Sequence, residues 1–178
     1  MTRRAVFLDR DGVLNRAQVR DGRPHPPTGL AALEILPGVV AACAELAGRG
    51  FLLIGATNQP DIARGTTTEK AVAAINDAVV AALALDDMRV CPHDDGDGCD
   101  CRKPLPGLLT AAARDFDIDL RSSIMVGDRW RDVEAGLAAD CRTVFIDRCY
   151  DERRPTGADF TCDGLPAAAA WIIGDREA

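Results

Sequence analysis

The chain alternates short apolar runs with longer stretches in which apolar residues recur every third or fourth position. Short runs that end at Gly, Pro or Asp are typical of buried strands, and the longer periodic stretches are typical of helices. The predicted strands are residues 5–8, 51–56, 88–90, 123–127, 143–146 and 159–161. Because strands and helices alternate, we predict an α/β fold with a Rossmann-like, mainly parallel sheet and helices on both faces.

The domain organisation predicted from this pattern is simple. The sequence has no internal repeat and no low-complexity linker, so we expect a single domain over residues 1–178. No long insertion follows Asp11 or Gln59, so we expect no large cap domain over the active site. The Pro-rich stretch 16–28 is predicted to be an irregular loop that contacts substrate, because prolines disfavour regular structure and the stretch follows the first strand.

Two aspartates stand directly after the first predicted strand. The apolar run 5–8 leads into Asp9, a spacer, Asp11 and Gly12. Open α/β sheets place their active sites at the carboxyl ends of the strands, where one acid can serve as nucleophile and its neighbour as proton donor. A solvated Asp-rich turn is equally compatible with this stretch alone, since Asp and Gly are common turn residues.

Further polar residues follow the other predicted strands. Thr57 and Asn58 end the second strand, Asp128 follows the fourth, and Asp132 comes one helical turn later, while Lys103 precedes a helix that starts near the same edge. Acidic oxygens are the ligands that Mg²⁺ prefers, and a hydroxyl with a lysine can neutralise phosphoryl oxygens. Taken singly, these residues have ordinary alternatives as a turn, a solvated charge or a helix cap. Taken together and in this order, they indicate phosphoryl transfer.

The same motifs give the chain a resemblance to a known superfamily. Asp-x-Asp, a Thr, a Lys and an acid pair occur in the order found in phosphatases of the haloacid dehalogenase superfamily, over residues 9–132. More narrowly, the chain resembles the D-glycero-D-manno-heptose 1,7-bisphosphate 7-phosphatases and the related histidinol-phosphatase domains. That narrower resemblance lies in FLDRDG (7–12), TNQ (57–59), IARG (62–65) and CRKP (101–104). The chain departs from the pattern at stretch 16–28 and at Asp61, where a glycine is usual, and both positions lie where substrate would be recognised.

The resemblance implies a covalent mechanism. Asp9 would be the nucleophile and form an aspartyl-phosphate, while Asp11 would be the general acid and base. Mg²⁺ would be held by Asp9, the backbone carbonyl of Asp11 and Asp128, with Asp132 acting from behind these ligands. The transferring phosphoryl oxygens would be held by Thr57 and Lys103. The implied substrate contacts are Arg102, whose guanidinium suits a second phosphate, with Asn58 and Arg129 as lesser ones.

Three of the seven cysteines crowd together with a histidine. Cys91, His93, Cys99 and Cys101 supply three thiolates and one imidazole, which is a complete tetrahedral ligand set for a structural Zn²⁺. The alternative is a loop of reduced cysteines, but such clustering in a reducing compartment favours a metal. The loop between the ligand pairs lacks apolar residues, so we expect zinc to hold it, and with it the phosphate-binding cations that follow Cys101. The resemblance to the heptose bisphosphate phosphatases supports the same prediction.

Composition limits the partners. The chain of 178 residues has a net charge of −7, which argues against nucleic acid and anionic membranes as partners. No apolar run reaches the length of a membrane span, and the N-terminal apolar run is too short for a signal peptide, so we expect a cytoplasmic protein. We expect a monomer that acts on a small phosphorylated sugar or metabolite. The rival classes are a phospho-receiver module and a zinc-dependent interaction module that has lost catalysis.

Overall fold

A computed structural model of the chain describes residues 2–174. Met1 and residues 175–178, which the predicted domain includes, lie outside the described residues. The strands are β1 (Ala5–Leu8), β2 (Gln18–Arg20), β3 (Arg23–His25), β4 (Leu52–Asn58), β5 (Asp87–Cys91), β6 (Ile124–Gly127), β7 (Arg142–Ile146) and β8 (Phe160–Cys162). The helices are α1 (Val39–Gly48), α2 (Glu69–Leu83), α3 (Gly107–Phe116), α4 (Trp130–Ala138) and α5 (Leu165–Gly174).

Six strands form one parallel sheet, in the order β5-β4-β1-β6-β7-β8. β1 lies at the centre, where Leu8 pairs with Gly55 of β4 and with Val126 of β6. Since all six strands run the same way, the residues that follow β1, β4 and β6 meet at one edge. The predicted α/β fold with a parallel sheet is therefore confirmed.

The helices cover both faces of this sheet, because alternate residues of each strand point in opposite directions. Val6 and Leu8 belong to the core layer that also contains buried residues of α1, α2 and α5. Phe7 belongs to the opposite layer, together with buried residues of α3. α4 packs on that second face as well, since Gly136 lies against Met125 of β6 with no room for a side chain.

The stretch 16–28 folds differently from the predicted irregular loop. Its strands β2 and β3 pair antiparallel as a hairpin, in which Val19 lies opposite Pro24. Asp21 and Gly22 both have positive φ angles (50° and 72°), which suit the tight turn favoured by Asp-Gly. The prediction was wrong because a two-stranded hairpin tolerates a proline on its outer edge, where no ladder hydrogen bond is lost.

Two further expectations concern the surface of the fold. Apart from the hairpin, residues 2–174 contain no inserted unit that could form a large cap, as predicted. Over the same residues, no helix combines the length and the apolar character needed to cross a bilayer.

Candidate active site

Four of the predicted strand-end residues line one cavity of about 310 Å³. Asp9 and Asp11 reach it from the end of β1, and Thr57 and Asn58 reach it from the end of β4. Arginines supplied by the hairpin, by later loops and by the first turn of α4 also line it. The arginines are Arg23, Arg64, Arg102, Arg129 and Arg131. The cavity therefore has an acidic floor and a cationic rim.

A buried cluster of charges extends the floor inward from Asp9, the one member of the cluster that lines the cavity itself. Asp9, Asp128 and Asp132 each place a carboxylate oxygen within 4.8 Å of the others, and all three are buried. Lys103 is also buried, and its Nζ donates to Asp9 Oδ1 at 2.7 Å and to the main-chain carbonyl of Ala56 at 2.6 Å. The same Nζ pairs with Asp132 Oδ1 at 2.6 Å. Three acids against one lysine leave this buried cluster with excess negative charge.

The electrostatics of the cluster fit a divalent cation. Burial raises the pKa of Asp9 to about 6, and the charge of Asp132 adds to the rise although Lys103 opposes it. Burial and the charge of Asp9 raise the pKa of Asp128 well above its ordinary value. Asp128 Oδ1 is buried and has no hydrogen-bond partner, which is costly unless a ligand is bound. Carboxylates that repel one another in this way would be stabilised by Mg²⁺.

Asp132 and Lys103 are less free to reach a ligand than Asp9 and Asp128. Asp132 Oδ1 pairs with Lys103, and Asp132 Oδ2 accepts the Arg129 backbone N–H at 2.9 Å. Burial alone would lower the pKa of Lys103, but the carboxylates of Asp132 and Asp9 outweigh it and raise the pKa above its ordinary value. The lysine is therefore a permanent cation that Asp132 holds in place.

One hydrogen bond to the metal-ligand candidate Asp128 could not be predicted from the sequence patterns. Tyr150, from the irregular segment after β7, donates its hydroxyl to Asp128 Oδ2 at 2.8 Å. Gly12 makes room for this contact, since its φ is 86° and a Cβ there would lie 1.8 Å from Asp128 Oδ2. The glycine after Asp-x-Asp therefore has a steric role beyond that of a turn residue.

Asp11 is held by side chains that the sequence patterns did not single out. Its Oδ1 accepts from Arg10 Nε at 3.2 Å and from Asn15 Nδ2 at 2.9 Å. Its Oδ2 accepts from Arg10 Nη2 at 2.7 Å and from Gln59 Nε2 at 3.0 Å. Gln59 also donates to Thr57 Oγ1 at 2.9 Å, so it connects the predicted general acid to the predicted phosphate-binding hydroxyl.

The other predicted site residues lie close by, with partners of their own. Asn58 exchanges two hydrogen bonds with the backbone of Lys103, at 3.0 and 3.1 Å, so its amide fixes the lysine. Arg102 Nε donates to Asp95 Oδ1 at 2.7 Å, and Arg129 makes a bidentate pair with Glu152. Both predicted substrate-binding arginines therefore face the cavity while paired with carboxylates.

The Cys/His segment folds into a compact cluster beside the cavity. Cys91 Sγ lies 3.6 Å from His93 Nδ1 and 3.8 Å from Cys99 Sγ, while Cys101 Sγ lies 3.2 Å from Cys91 Sγ and 3.3 Å from His93 Nδ1. Ligands about 2.3 Å (S) and 2.0 Å (N) from a tetrahedral zinc would be roughly 3.5–3.8 Å apart. The four predicted ligands are thus brought together at distances that suit zinc.

The thiols of this cluster also favour a metal over a purely protein arrangement. Burial raises the pKa of Cys91 and that of Cys101, and the neighbouring thiols raise the pKa of Cys101 further. The raised pKa values mean that neighbouring thiolates would repel one another without a cation. Zinc binds thiolates and would offset that repulsion. Arg102, next to Cys101 in the chain, donates from Nη1 to the main-chain carbonyl of His93 at 3.2 Å, which ties the cluster to the cavity rim.

Known proteins resemble this chain in sequence and in fold. Residues 100–149 match the HAD-hydrolase-like family model. The D-glycero-beta-D-manno-heptose-1,7-bisphosphate 7-phosphatase of Yersinia pestis is 39% identical over 181 residues, which cover 95% of this chain and 89% of that protein. The chain belongs to this phosphatase family within the haloacid dehalogenase-like hydrolases. The phospho-receiver and the inactive interaction module are therefore excluded as its class.

Two more relatives indicate the range of this family. The D-glycero-alpha-D-manno-heptose-1,7-bisphosphate 7-phosphatase of Campylobacter jejuni is 36% identical, over 82% of this phosphatase and 83% of that one. The crystal structure of the D,D-heptose 1,7-bisphosphate phosphatase from B. bronchiseptica, complexed with magnesium and phosphate, aligns with a TM-score of 0.83. It is 34% identical in sequence, and the alignment covers 97% of this chain and 99% of that one. The relatives thus include phosphatases named for both anomers of one sugar bisphosphate.

The phosphatase should gain more thermal stability from Mg²⁺ at neutral pH than at acidic pH. Asp9 has an ordinary pKa of 3.8 and a folded pKa of about 6 without metal. Between these values the folded chain retains a proton that the unfolded chain releases, so metal-free stability falls as pH rises. The loss is on the order of 3 kcal/mol for Asp9, and bound Mg²⁺ would offset it. We expect the Mg²⁺-induced rise in Tm to be roughly 5–10 °C larger at about pH 7.5 than at about pH 5.

The melting experiment should avoid chelators, because a chelator would also remove metal from the Cys/His cluster. Protein freed of Mg²⁺ by dialysis is melted with and without saturating Mg²⁺ at both pH values. Asp128→Asn, which removes one carboxylate from the floor, serves as the control and should show a smaller gain at the higher pH. An equal gain in Tm at both pH values in the unmodified protein would contradict the prediction.

Proposed function

We propose that this phosphatase removes the 7-phosphate of D-glycero-D-manno-heptose 1,7-bisphosphate, with Mg²⁺ as cofactor and through an aspartyl-phosphate on Asp9. The observation that carries the proposal is the buried floor of three acids and Lys103 beneath a rim of arginines. A floor of this kind suits a transferring phosphoryl group, and the rim suits a second anion on the same substrate.

In the first half-reaction, an Asp9 carboxylate oxygen attacks phosphorus, and the bond from phosphorus to the sugar oxygen breaks. Asp11 donates its proton to that departing oxygen, which leaves as an alcohol. Lys103 lies 2.7 Å from Asp9 Oδ1, where its charge can hold both the nucleophile and an incoming phosphoryl oxygen. Thr57, which lines the same cavity, donates its hydroxyl to another phosphoryl oxygen.

In the second half-reaction, water attacks the phosphorus of the aspartyl-phosphate, and the bond from phosphorus to Asp9 breaks. Asp11, now a carboxylate, accepts a proton from that water. Bound Mg²⁺, held by Asp9, Asp128 and the backbone carbonyl of Asp11, would supply charge neutralisation at the phosphoryl oxygens. Asp132 would orient Lys103 and the start of α4 through the contacts described above.

The rim favours a bisphosphate over a substrate with a cationic group. Histidinol phosphate is the second candidate, because Asp61, Asp95 and Glu152 also line the cavity and could receive its ammonium group. Each of these acids is paired with an arginine, through Arg64, Arg102 and Arg129. Five arginines against three rim acids leave a net positive mouth, which suits a second phosphate.

We propose that the Cys/His cluster binds one structural Zn²⁺. Its four ligands fill a tetrahedral site and leave no position for a reacting water. The ion would anchor the loop that carries Asp95 and the adjoining Arg102, and so fix part of the rim.

Steady-state kinetics on alternative substrates tests the proposed function. We expect kcat/KM for one anomer of D-glycero-D-manno-heptose 1,7-bisphosphate to exceed that for histidinol phosphate by at least about a hundredfold. Histidinol phosphate lacks the second phosphate that the rim arginines would bind, and losing such charged hydrogen bonds costs a few kcal/mol. The alpha and beta anomers should be compared side by side, because relatives named for each share more than a third of their aligned residues with this chain. Faster turnover of histidinol phosphate would reject the heptose assignment and leave the phosphatase chemistry intact.

A further inference from the structure

Arg10, the spacer between the two motif aspartates, occupies an unusual place for an arginine. Its side chain is 0% exposed and is the largest fully buried side chain among the described residues. Burying a guanidinium is costly unless every part of it is paired, so a buried arginine needs partners that repay its desolvation. Those partners indicate what the residue does.

The guanidinium of Arg10 joins Asp11 to a helix. Its Nε and Nη2 reach the two carboxylate oxygens of Asp11 at 3.2 and 2.7 Å, as a fork. Its Nη1 donates to Asn76 Oδ1 at 2.7 Å. Asn76 is itself buried on α2, on the face that also carries Ile75 and Val79 of the apolar core. A polar side chain in that apolar layer is explained by its bond to Arg10.

A fork of this kind fixes more than a distance. Two parallel hydrogen bonds from one planar guanidinium set the plane and the direction of the carboxylate, which a single-point cation cannot do. The side chain of Asp11 is 14% exposed and lines the cavity, so the orientation of its carboxylate decides which part of that group faces a substrate. Lys103 contacts Asp9 through its single Nζ, so each of the two motif acids is paired with a cation of its own.

We propose that Arg10, held by Asn76, is a positioning residue that aims the Asp11 carboxyl at the leaving oxygen of the substrate. The proposal rests on the proposed role of Asp11 as general acid. It assigns to α2, a helix outside the catalytic motifs, a specific part in proton transfer. Arg10 acts through Asp11 and does not itself touch the substrate.

Leaving-group dependence separates this role from a merely structural one. p-Nitrophenyl phosphate releases a stable phenolate and needs little acid assistance, whereas glucose 6-phosphate releases a primary alkoxide that must be protonated. Since kcat/KM includes the step in which the leaving group departs, the ratio of kcat/KM for the two esters reports on acid catalysis. We expect Asn76→Ala and Arg10→Lys each to lower kcat/KM for glucose 6-phosphate by about 10- to 100-fold, and that for p-nitrophenyl phosphate by less than about threefold.

Two controls make the result interpretable. Val79→Ala removes a buried side chain one turn further along α2 and should lower Tm without changing the ratio of the two esters. Asp11→Asn should change that ratio more than either positioning variant. Equal losses on both esters in Asn76→Ala, as in a destabilised core variant, would overturn the role of Arg10 while leaving the proposed function intact. An unchanged ratio in Asp11→Asn would instead overturn the general acid itself, and the positioning role with it. If Arg10→Lys does not fold, Asn76→Ala alone carries the test.

Discussion

Replacing Asp9 with Asn should lower kcat for every phosphate ester by at least about a thousandfold, because the variant lacks the attacking carboxylate. The fold should survive. Asn has the same shape as Asp, and its side-chain oxygen can still accept the hydrogen bond that Lys103 now gives at 2.7 Å. The substitution also removes one charge from a buried cluster of three acids, which lowers their mutual repulsion.

The measurement pairs phosphate release with mass spectrometry of acid-quenched protein. The unmodified enzyme and Asp11→Asn should both gain the mass of one phosphoryl group during turnover of p-nitrophenyl phosphate, since attack on that ester needs little acid. Asp9→Asn should gain none. Asp77→Asn, an exposed change on α2, is the matched control and should behave as the unmodified enzyme. Retained phosphatase activity in Asp9→Asn, with no reversion of the amide, would remove Asp9 as the nucleophile.

The acidic floor of the candidate site is the part of this protein that its sequence predicts best. Parallel strands end at one edge, so Asp9, Thr57 and Asp128, which lie at the ends of three different strands, had to meet there once the strands were recognised. Four cysteine and histidine ligands within eleven residues could likewise find one another, because the segment between them is too short and polar to form a core. The strand pattern was therefore sufficient to predict the first group of residues, and local spacing was sufficient to predict the second.

The side chains that hold the floor residues in place could not be predicted by the same reasoning. Tyr150 reaches Asp128 from an irregular segment 22 residues later, and no period or spacing marks that tyrosine. Gln59 lies inside a quoted motif, but its double contact with Asp11 and Thr57 depends on side-chain direction after the strand ends. Arg10 is a residue type that is almost always exposed, so composition predicts the opposite of its complete burial.

The hairpin of β2 and β3 is another feature that could not be predicted from local sequence. Its prolines suggested an irregular loop, but the Asp21-Gly22 turn and cross-strand pairing gave it regular structure. Its docking depends on a distant partner, since the Asp151 backbone N–H donates to the carbonyl of Gly22 at 2.8 Å. The segment that carries Tyr150 and Glu152 therefore contacts both the hairpin and the floor, through pairings that only the folded chain reveals.

Loss of zinc from the Cys/His cluster should be the second largest effect. We expect Cys99→Ala to bind less than one zinc per chain, to melt at lower temperature and to lose about a hundredfold in kcat/KM. Arg102 and Lys103 directly follow the ligand Cys101, and a shift of about 1 Å in a positioning group can cost that much. The loop has other ties, since Arg64 forms a bidentate pair with Asp94 at 2.6 and 2.7 Å. These ties are exposed, and such pairs contribute little on their own.

Zinc content by inductively coupled plasma mass spectrometry, Tm and kcat/KM should be measured on the same samples. Cys43→Ala removes a buried thiol on α1, distant in sequence from the cluster, and should keep both zinc and activity. Excess Mg²⁺ in every assay isolates the structural metal from the catalytic one. If zinc positions the rim, activity must fall in step with zinc content while the Asp9 phosphoryl-enzyme can still form. Full activity in protein shown to be free of zinc would mean that Asn58, through its two bonds to the Lys103 backbone, is sufficient to hold the lysine in place.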